Sequence, residues 1–120
     1  MSKWIGIVGC RARDSQKDLE QCEKVFFEHY KEGDYIVSGG CPSGGDRFAE
    51  VIAKKHGIPI MIYYPNWEKY GKSAGFKRNG LIAHRADVLI AVVREDRKGG
   101  TEDTIRKAKS EGTEIVLVEK

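Results

Sequence analysis

The chain is poor in the residues that staple a fold, hold a metal or cross a membrane. It has 3 Cys, 3 His, 3 Pro and 2 Met among 120 residues. Cys10, Cys22 and Cys41 are odd in number and lack paired C-x-x-C spacing, which excludes a disulfide framework and a cysteine-based zinc site. No His, Cys and Asp cluster has metal-ligand spacing, so neither a metal nor a bound cofactor is expected. No stretch approaches the ~18 consecutive apolar residues of a membrane span. The amino end also lacks a basic segment leading into an apolar run and a small-residue cleavage site. These absences favour a soluble protein of the reducing cytoplasm with no membrane partner. Charge of one sign is scarce too, since 21 Lys+Arg against 18 Asp+Glu leave +3. That excess is too small to give general affinity for nucleic acid.

What remains is ordinary globular material, 40% hydrophobic with 14 Gly. A chain of this length buries roughly 65% of its unfolded surface, enough for one core. A single domain over residues 1–120 is expected. Five short apolar runs read as strands: Trp4 to Val8, Tyr35 to Ser38, Ile60 to Tyr63, Val88 to Val93 and Ile115 to Val118. They are nearly continuous rather than alternating, as parallel strands covered on both faces are.

Helical patterns fill the gaps. Ser15 and Asp18 form a start signal for Leu19, Cys22, Phe26 and His29, with a stop near Gly33. The second helix starts at Asp46 as N-cap, runs through Ala49, Ile52, Ala53 and His56, and ends at Gly57 before Pro59. A third pattern spans Phe76 to Arg85, interrupted by Gly80. The last starts at Thr101, with Glu102 and Asp103 in its first turn and Lys107 and Lys109 near its end before Gly112. Between Pro65 and Gly75 the chain reads as a long irregular loop. Strict alternation of strand and helix predicts an α/β, Rossmann-like three-layer sandwich of about five mainly parallel strands with helices on both faces.

In such sheets ligands occupy the crevice beyond the carboxyl ends of the strands. Two loops there are rich in glycine and run straight into helix starts, Ser38-Gly39-Gly40 through Gly45-Asp46-Arg47, and Arg94 through Gly99-Gly100-Thr101. Free backbone N–H groups and the positive end of the helix dipole make such junctions suited to phosphate or carboxylate. Six of the eight arginines, Arg11, Arg13, Arg47, Arg78, Arg94 and Arg97, lie at these loops or on the third helix. A planar guanidinium suits bidentate contact with phosphate. Strict nucleotide fingerprints are missing: Gly6-Ile7-Val8-Gly9-Cys10-Arg11 is not G-x-G-x-x-G, and strand two ends without an acid for ribose hydroxyls. The segment Asn66 to Ser73 imitates a P-loop without its first glycine.

Four motifs follow one another along the chain: Val8-Gly9-Cys10-Arg11, Ser38-Gly39-Gly40 with Gly45-Asp46-Arg47, Ala74-Gly75-Phe76-Lys77-Arg78-Asn79, and Gly99-Gly100-Thr101. In this order they resemble the SLOG superfamily, and within it the small YspA-like, YpsA-related Rossmann-like proteins. More distant members are the lonely-guy phosphoribohydrolases, often described as lysine decarboxylase-like, and the Rossmann domain of DNA-processing protein A. The resemblance covers nearly the whole chain. It implies binding of a nucleotide or nucleotide-derived ligand, phosphoribosyl or ADP-ribose-like, by a sensor or sequestering module. It assigns Gly9, Cys10 and Arg11 to the first ligand loop and Ser38, Gly39, Gly40, Gly45 and Asp46 to the second, beside Arg47. It also assigns Arg78 and Asn79 to contacts from the third helix, and Gly99, Gly100 and Thr101 to the phosphate. Because related proteins often pair, it implies a homo-oligomer as well.

Two departures stand out. Cys10 occupies a position commonly Ser or Thr, and a thiol is the poorer donor. Of the lonely-guy motif only Gly99-Gly100-Thr101 is present, with Thr104 where the catalytic glutamate falls. Two rival functions remain open. The first is a nucleotide N-glycosidase or phosphoribohydrolase in which Asp46, Glu102 or Asp103 orients water. The second is a nucleic-acid-binding domain, against which stand the aromatic content of 9% and the lack of a basic stripe with interleaved aromatics. Capping, dipole compensation and plain surface polarity are the competing roles for Thr101, Asp46, Glu102 and Asp103.

Overall fold

The computed structural model describes residues 2–119. The strands are β1 (Trp4–Gly9), β2 (Tyr35–Ser38), β3 (Ile60–Ile62), β4 (Val88–Val92) and β5 (Glu114–Val118). The helices are α1 (Gln16–His29), α2 (Gly45–His56), the short α3 (Trp67–Tyr70), α4 (Ala74–Arg85) and α5 (Gly100–Ser110). All five strands join one sheet in the order β3-β2-β1-β4-β5 and every pairing is parallel. The expected Rossmann-like architecture is therefore the one observed. Among the described residues no helix is long and apolar enough to cross a membrane.

Side-chain alternation along the strands assigns each helix to a face. Ile5 and Ile7 of β1, Ile36 of β2, and Ile90 and Val92 of β4 share a buried cluster with Cys22 and Phe26 of α1 and Phe48, Ala49 and Ile52 of α2. Val8, Val37, Leu89 and Ala91 point the other way, onto Ile82 and Ala83 of α4 and Ile105 and Ala108 of α5. The nearly continuous apolar strands of the sequence reflect this covering on both faces.

The helix starts obey two different rules. At α1, Ser15 Oγ accepts from the Asp18 amide at 3.0 Å and the Asp18 carboxylate accepts from the Ser15 amide, a full capping box. At α2 and α5 the N-caps are Gly44 and Gly99, and neither start carries a side-chain cap. Asp46 and Thr101 were expected to cap these helices. Each instead lies in its helix's first turn, because a glycine already takes the non-helical N-cap conformation before it. The stretch Pro65 to Gly75 is also more regular than expected. Asn66 caps α3 by accepting from the Lys69 amide at 3.1 Å, and a 3₁₀ turn from Gly71 to Ser73 leads into α4. Gly80 does not interrupt α4; its bare backbone faces the stem of Lys107 on α5, at the contact between the two helices.

One of the six arginines counted near the ligand loops is a structural brace. Arg13 is 6% exposed and donates to the Val93 carbonyl at 3.1 Å and the Val118 carbonyl at 2.5 Å, tying together the ends of β4 and β5. Its remaining donors meet Asp18 and Gln21 of α1, each at 2.9 Å. Removing one partner of a buried, fully bonded charge costs about 3 to 5 kcal/mol. Arg13→Ala is accordingly expected to lower the unfolding free energy in urea by about 3 kcal/mol; an unchanged midpoint and slope would show that the brace contributes nothing.

Candidate functional site

From β1 the chain steps outward to β2 and β3, then returns past β1 to place β4 on its other side. The strand order thus reverses between β1 and β4, and the loops leaving these two strands diverge over a crevice. A cavity of about 460 Å³ opens there. Its walls come from four places: the loop after β1, the start of α2, the middle of α4 and the start of α5. Gly9 lets α2 approach β1 closely. A Cβ at Gly9 would lie 2.9 Å from the Gly45 backbone, so the first turn of α2 sits directly against the end of β1 only because both residues are glycine.

The candidate residues fall into three groups. Gly9, Cys10, Arg11, Asp46, Arg78, Asn79, Gly99, Gly100 and Thr101 line the cavity. Ser38, Gly39 and Gly45 lie behind its wall: Ser38 is fully buried, and Gly39 offers its carbonyl to Arg78. Gly40 and Arg47 face a separate groove of about 400 Å³ on the other side of the loop. There Arg47 donates to Asp14 at 2.7 Å, and that bond, with the Gly44 amide, holds the Asp14 carboxyl below its ordinary pKa.

The arginines sort in the same way. Arg11, Arg78 and Arg94 reach the cavity, whereas Arg13, Arg47 and Arg97 are engaged elsewhere. Arg97 has a positive φ of 55° and holds both carboxylate oxygens of Glu102, at 2.8 and 2.9 Å. Glu102 is thereby committed to bracing the loop before α5. Asp103 accepts from Lys107 at 2.8 Å, Arg106 at 3.2 Å and Asn79 at 3.2 Å. Of the three acids considered for hydrolysis, only Asp46 borders the cavity.

Asn79 does more than border it. Its carbonyl oxygen accepts from Arg78 Nε at 3.1 Å, and its amide donates to the Gly100 carbonyl at 3.4 Å and to Asp103. Arg78 Nη1 meanwhile donates to the Gly39 carbonyl. Two of the guanidinium's donors are held by protein, which fixes its plane and leaves Nη2 as the only terminal nitrogen bonded to no protein group among the described residues. A Cβ at Gly39 would lie 2.6 Å from Arg78 Nη1 and 2.9 Å from Asp46 Oδ2, so this clamp requires glycine. The start of α5 faces the same space without a side-chain cap. Its first amides and dipole, together with three guanidiniums, make the cavity's lining electropositive.

Sequence reasoning does not assign Ile82 or Thr104, which line the cavity one helical turn beyond Asn79 and Thr101, or Cys41, which follows β2, to the ligand site. Spacings of three residues from named candidates on the same helix are the signal that could have found the first two. Among the described residues, no three His, Cys, Asp or Glu side chains are grouped to hold a metal ion.

A scan against family models and a search of curated proteins both return no match. Solved structures do match. The molybdenum cofactor binding protein from the phototrophic bacterium Rippkaea orientalis superposes with a TM-score of 0.76 at 21% identity, over 100% of this chain and 78% of that one. The molybdenum cofactor carrier protein from Chlamydomonas reinhardtii gives 0.75 at 21% identity, over 100% and 79%. A second structure of the Chlamydomonas carrier protein gives 0.73. At this identity the likeness establishes a shared fold.

The clamp generates a prediction. Asn79→Ala frees Arg78 and unhooks α4 from Gly100, so anion affinity measured by titration is expected to fall about tenfold, some 1.4 kcal/mol. Loss of a partly satisfied amide should lower stability by only about 1 to 2 kcal/mol. Unchanged anion affinity would show that Asn79 merely packs.

Proposed function

We propose that this protein is a YspA-like member of the SLOG superfamily that binds a phosphate-bearing heterocyclic ligand, nucleotide or nucleotide-derived, as a carrier, sensor or sequestering module. The observation that carries this reading is the cavity at the strand-order reversal, where the uncapped start of α5 and the guanidiniums of Arg11, Arg78 and Arg94 converge. Phosphate on the first amides of α5 satisfies donors that no side chain caps. The cavity volume lies in the range of small-ligand pockets, roughly 300 to 1,000 Å³, and accommodates a nucleoside phosphate. Val8 and Ile82 form the buried apolar floor of the cavity.

The structural neighbours are described by their ligand, the molybdenum cofactor. That those neighbours are described by a small bound ligand supports a small-ligand role for this chain. A carrier role suits a pocket bordered by one acid and three guanidiniums, of which Arg78 is fixed by two protein acceptors. Hydrolysis of an N-glycosidic bond would have to rest on Asp46 alone, since Glu102 and Asp103 face other partners.

Calorimetric titration with ADP-ribose, AMP and a cyclic nucleotide, alongside native mass spectrometry of the purified protein, tests the reading. Binding of at least one probe, or a retained phosphorylated molecule, is expected. Arg11→Ala and Gly100→Val should each weaken binding about tenfold or more, some 1.4 kcal/mol. Gly100 is well suited to the test because nothing lies within 4 Å of a Cβ added there, so valine intrudes on the ligand and not on the fold. Silent titrations of folded protein, with no retained molecule, would discard the proposal.

A further inference from the structure

Asp46 is a carboxylic acid in a pocket otherwise built for anions, and its hydrogen bonds contain a proton count. Ser38 Oγ lies 2.5 Å from the Ile7 carbonyl oxygen and 3.2 Å from Asp46 Oδ1. The serine has one hydroxyl proton and faces two acceptors. Two oxygens at 2.5 Å repel unless a proton lies between them, so the hydroxyl proton belongs to the bond with Ile7. The remaining contact, Oδ1 to Oγ, becomes a hydrogen bond only when the carboxyl supplies the proton. Oδ2 accepts from the Cys41 amide at 3.1 Å, the arrangement expected of the carbonyl oxygen of a neutral acid.

The surroundings agree. Asp46 is 7% exposed and has no cation within ion-pair distance among the described residues. Arg78 on α4 lies near enough to favour the anion, and Glu50 on α2 opposes it. Cys41 adjoins on the loop after β2, and Cys10, Arg11 and Arg94 face it from other cavity walls. Burial outweighs the hydrogen bonds and Arg78, and the Asp46 pKa is raised from its ordinary 3.8.

We infer that Asp46 serves this pocket as a neutral acid, and that an anionic ligand enters together with one proton whenever Asp46 would otherwise be ionised. An ionised Asp46 would set a negative charge on the border of a cavity that receives phosphate, and protonation removes that repulsion. The proton comes from solvent and remains on Oδ1, bonded to Ser38. This rests on the proposed anion-binding role, and it adds a selection for the protonated site that no loop motif encodes.

The native state holds the Asp46 proton more tightly than the unfolded chain. That contribution is fully present below the ordinary aspartate pKa and is lost as pH rises through the raised native value. Asp46→Asn copies the neutral acid, its amide donating to Ser38 and its carbonyl accepting from Cys41. It should therefore be more stable than the parent at pH 8, while at pH 3 the two should match.

Two measurements decide the matter. In ligand-free protein, the Asp46 carboxyl carbon followed by NMR should titrate clearly above ordinary aspartates; a midpoint at or below the ordinary value overturns the inference whatever the ligand proves to be. Calorimetry with ADP-ribose in buffers of different ionisation enthalpy supplies the second, because its pyrophosphate diester stays fully ionised. The parent should take up as much as one proton on binding and lose up to tenfold in affinity per pH unit above the Asp46 midpoint. Asp46→Asn should bind with no proton uptake and a flat profile. Equal uptake in both proteins, or loss of binding in Asp46→Asn, overturns the inference, and absence of ADP-ribose binding in both removes ADP-ribose from the proposed ligands while the carboxyl titration still decides the state of Asp46.

Discussion

The proposed anion-binding role depends on the distance between a guanidinium and an uncapped helix start, and Asn79 fixes that distance. It accepts from Arg78 on one side and donates to the first turn of α5 on the other. An asparagine can do this because its two ends have opposite polarity, matching a donor on its own helix and acceptors on the next. The pairing draws the cation and the amide dipoles onto one cavity wall, where both favour the same sign of ligand charge. Loop motifs without that anchor would leave two weak anion sites.

Apart from α4, which continues from the 3₁₀ turn without a side-chain cap, the helix starts divide by what they face. Helices α1 and α3 start with a serine and an asparagine that satisfy their own first amides, and neither start borders the cavity. Helices α2 and α5 start with glycines that satisfy nothing. At α2 the space is filled by the end of β1, packed backbone to backbone through Gly9 and Gly45. At α5 it is left to the cavity. The arginines divide in part the same way: those bonded to Asp14, Asp18 or Glu102 stiffen the loops, while Arg11, Arg78 and Arg94 line the cavity, Arg94 with one bond to Asp96.

The order of strands and helices was legible because each element is short, strongly patterned and locally bounded. Helix α1 could be placed from its capping box, and α2 from its αL glycine at Gly57. The exact starts of α2 and α5 were displaced because a glycine takes the N-cap conformation without offering a side chain to read. The role of Arg13 was hidden for another reason: its acceptors, Val93 and Val118, lie 80 and 105 positions away. Asp46 was weighed as a cap because local sequence shows the helix start and not the end of β2, where Ser38 awaits it. Local grammar thus placed the elements and collected the cavity's glycines, but pairing partners decided which charges remained available.

The central claim is that the first amides of α5 and the neighbouring guanidiniums receive an anion. Crystals soaked in selenate test it most directly through the anomalous signal of selenium. The strongest peak is expected within hydrogen-bonding distance of the Gly100 and Thr101 amides, with Arg78 or Arg11 alongside. A peak lying instead in the groove beside Tyr64, with the start of α5 bare, would contradict the account.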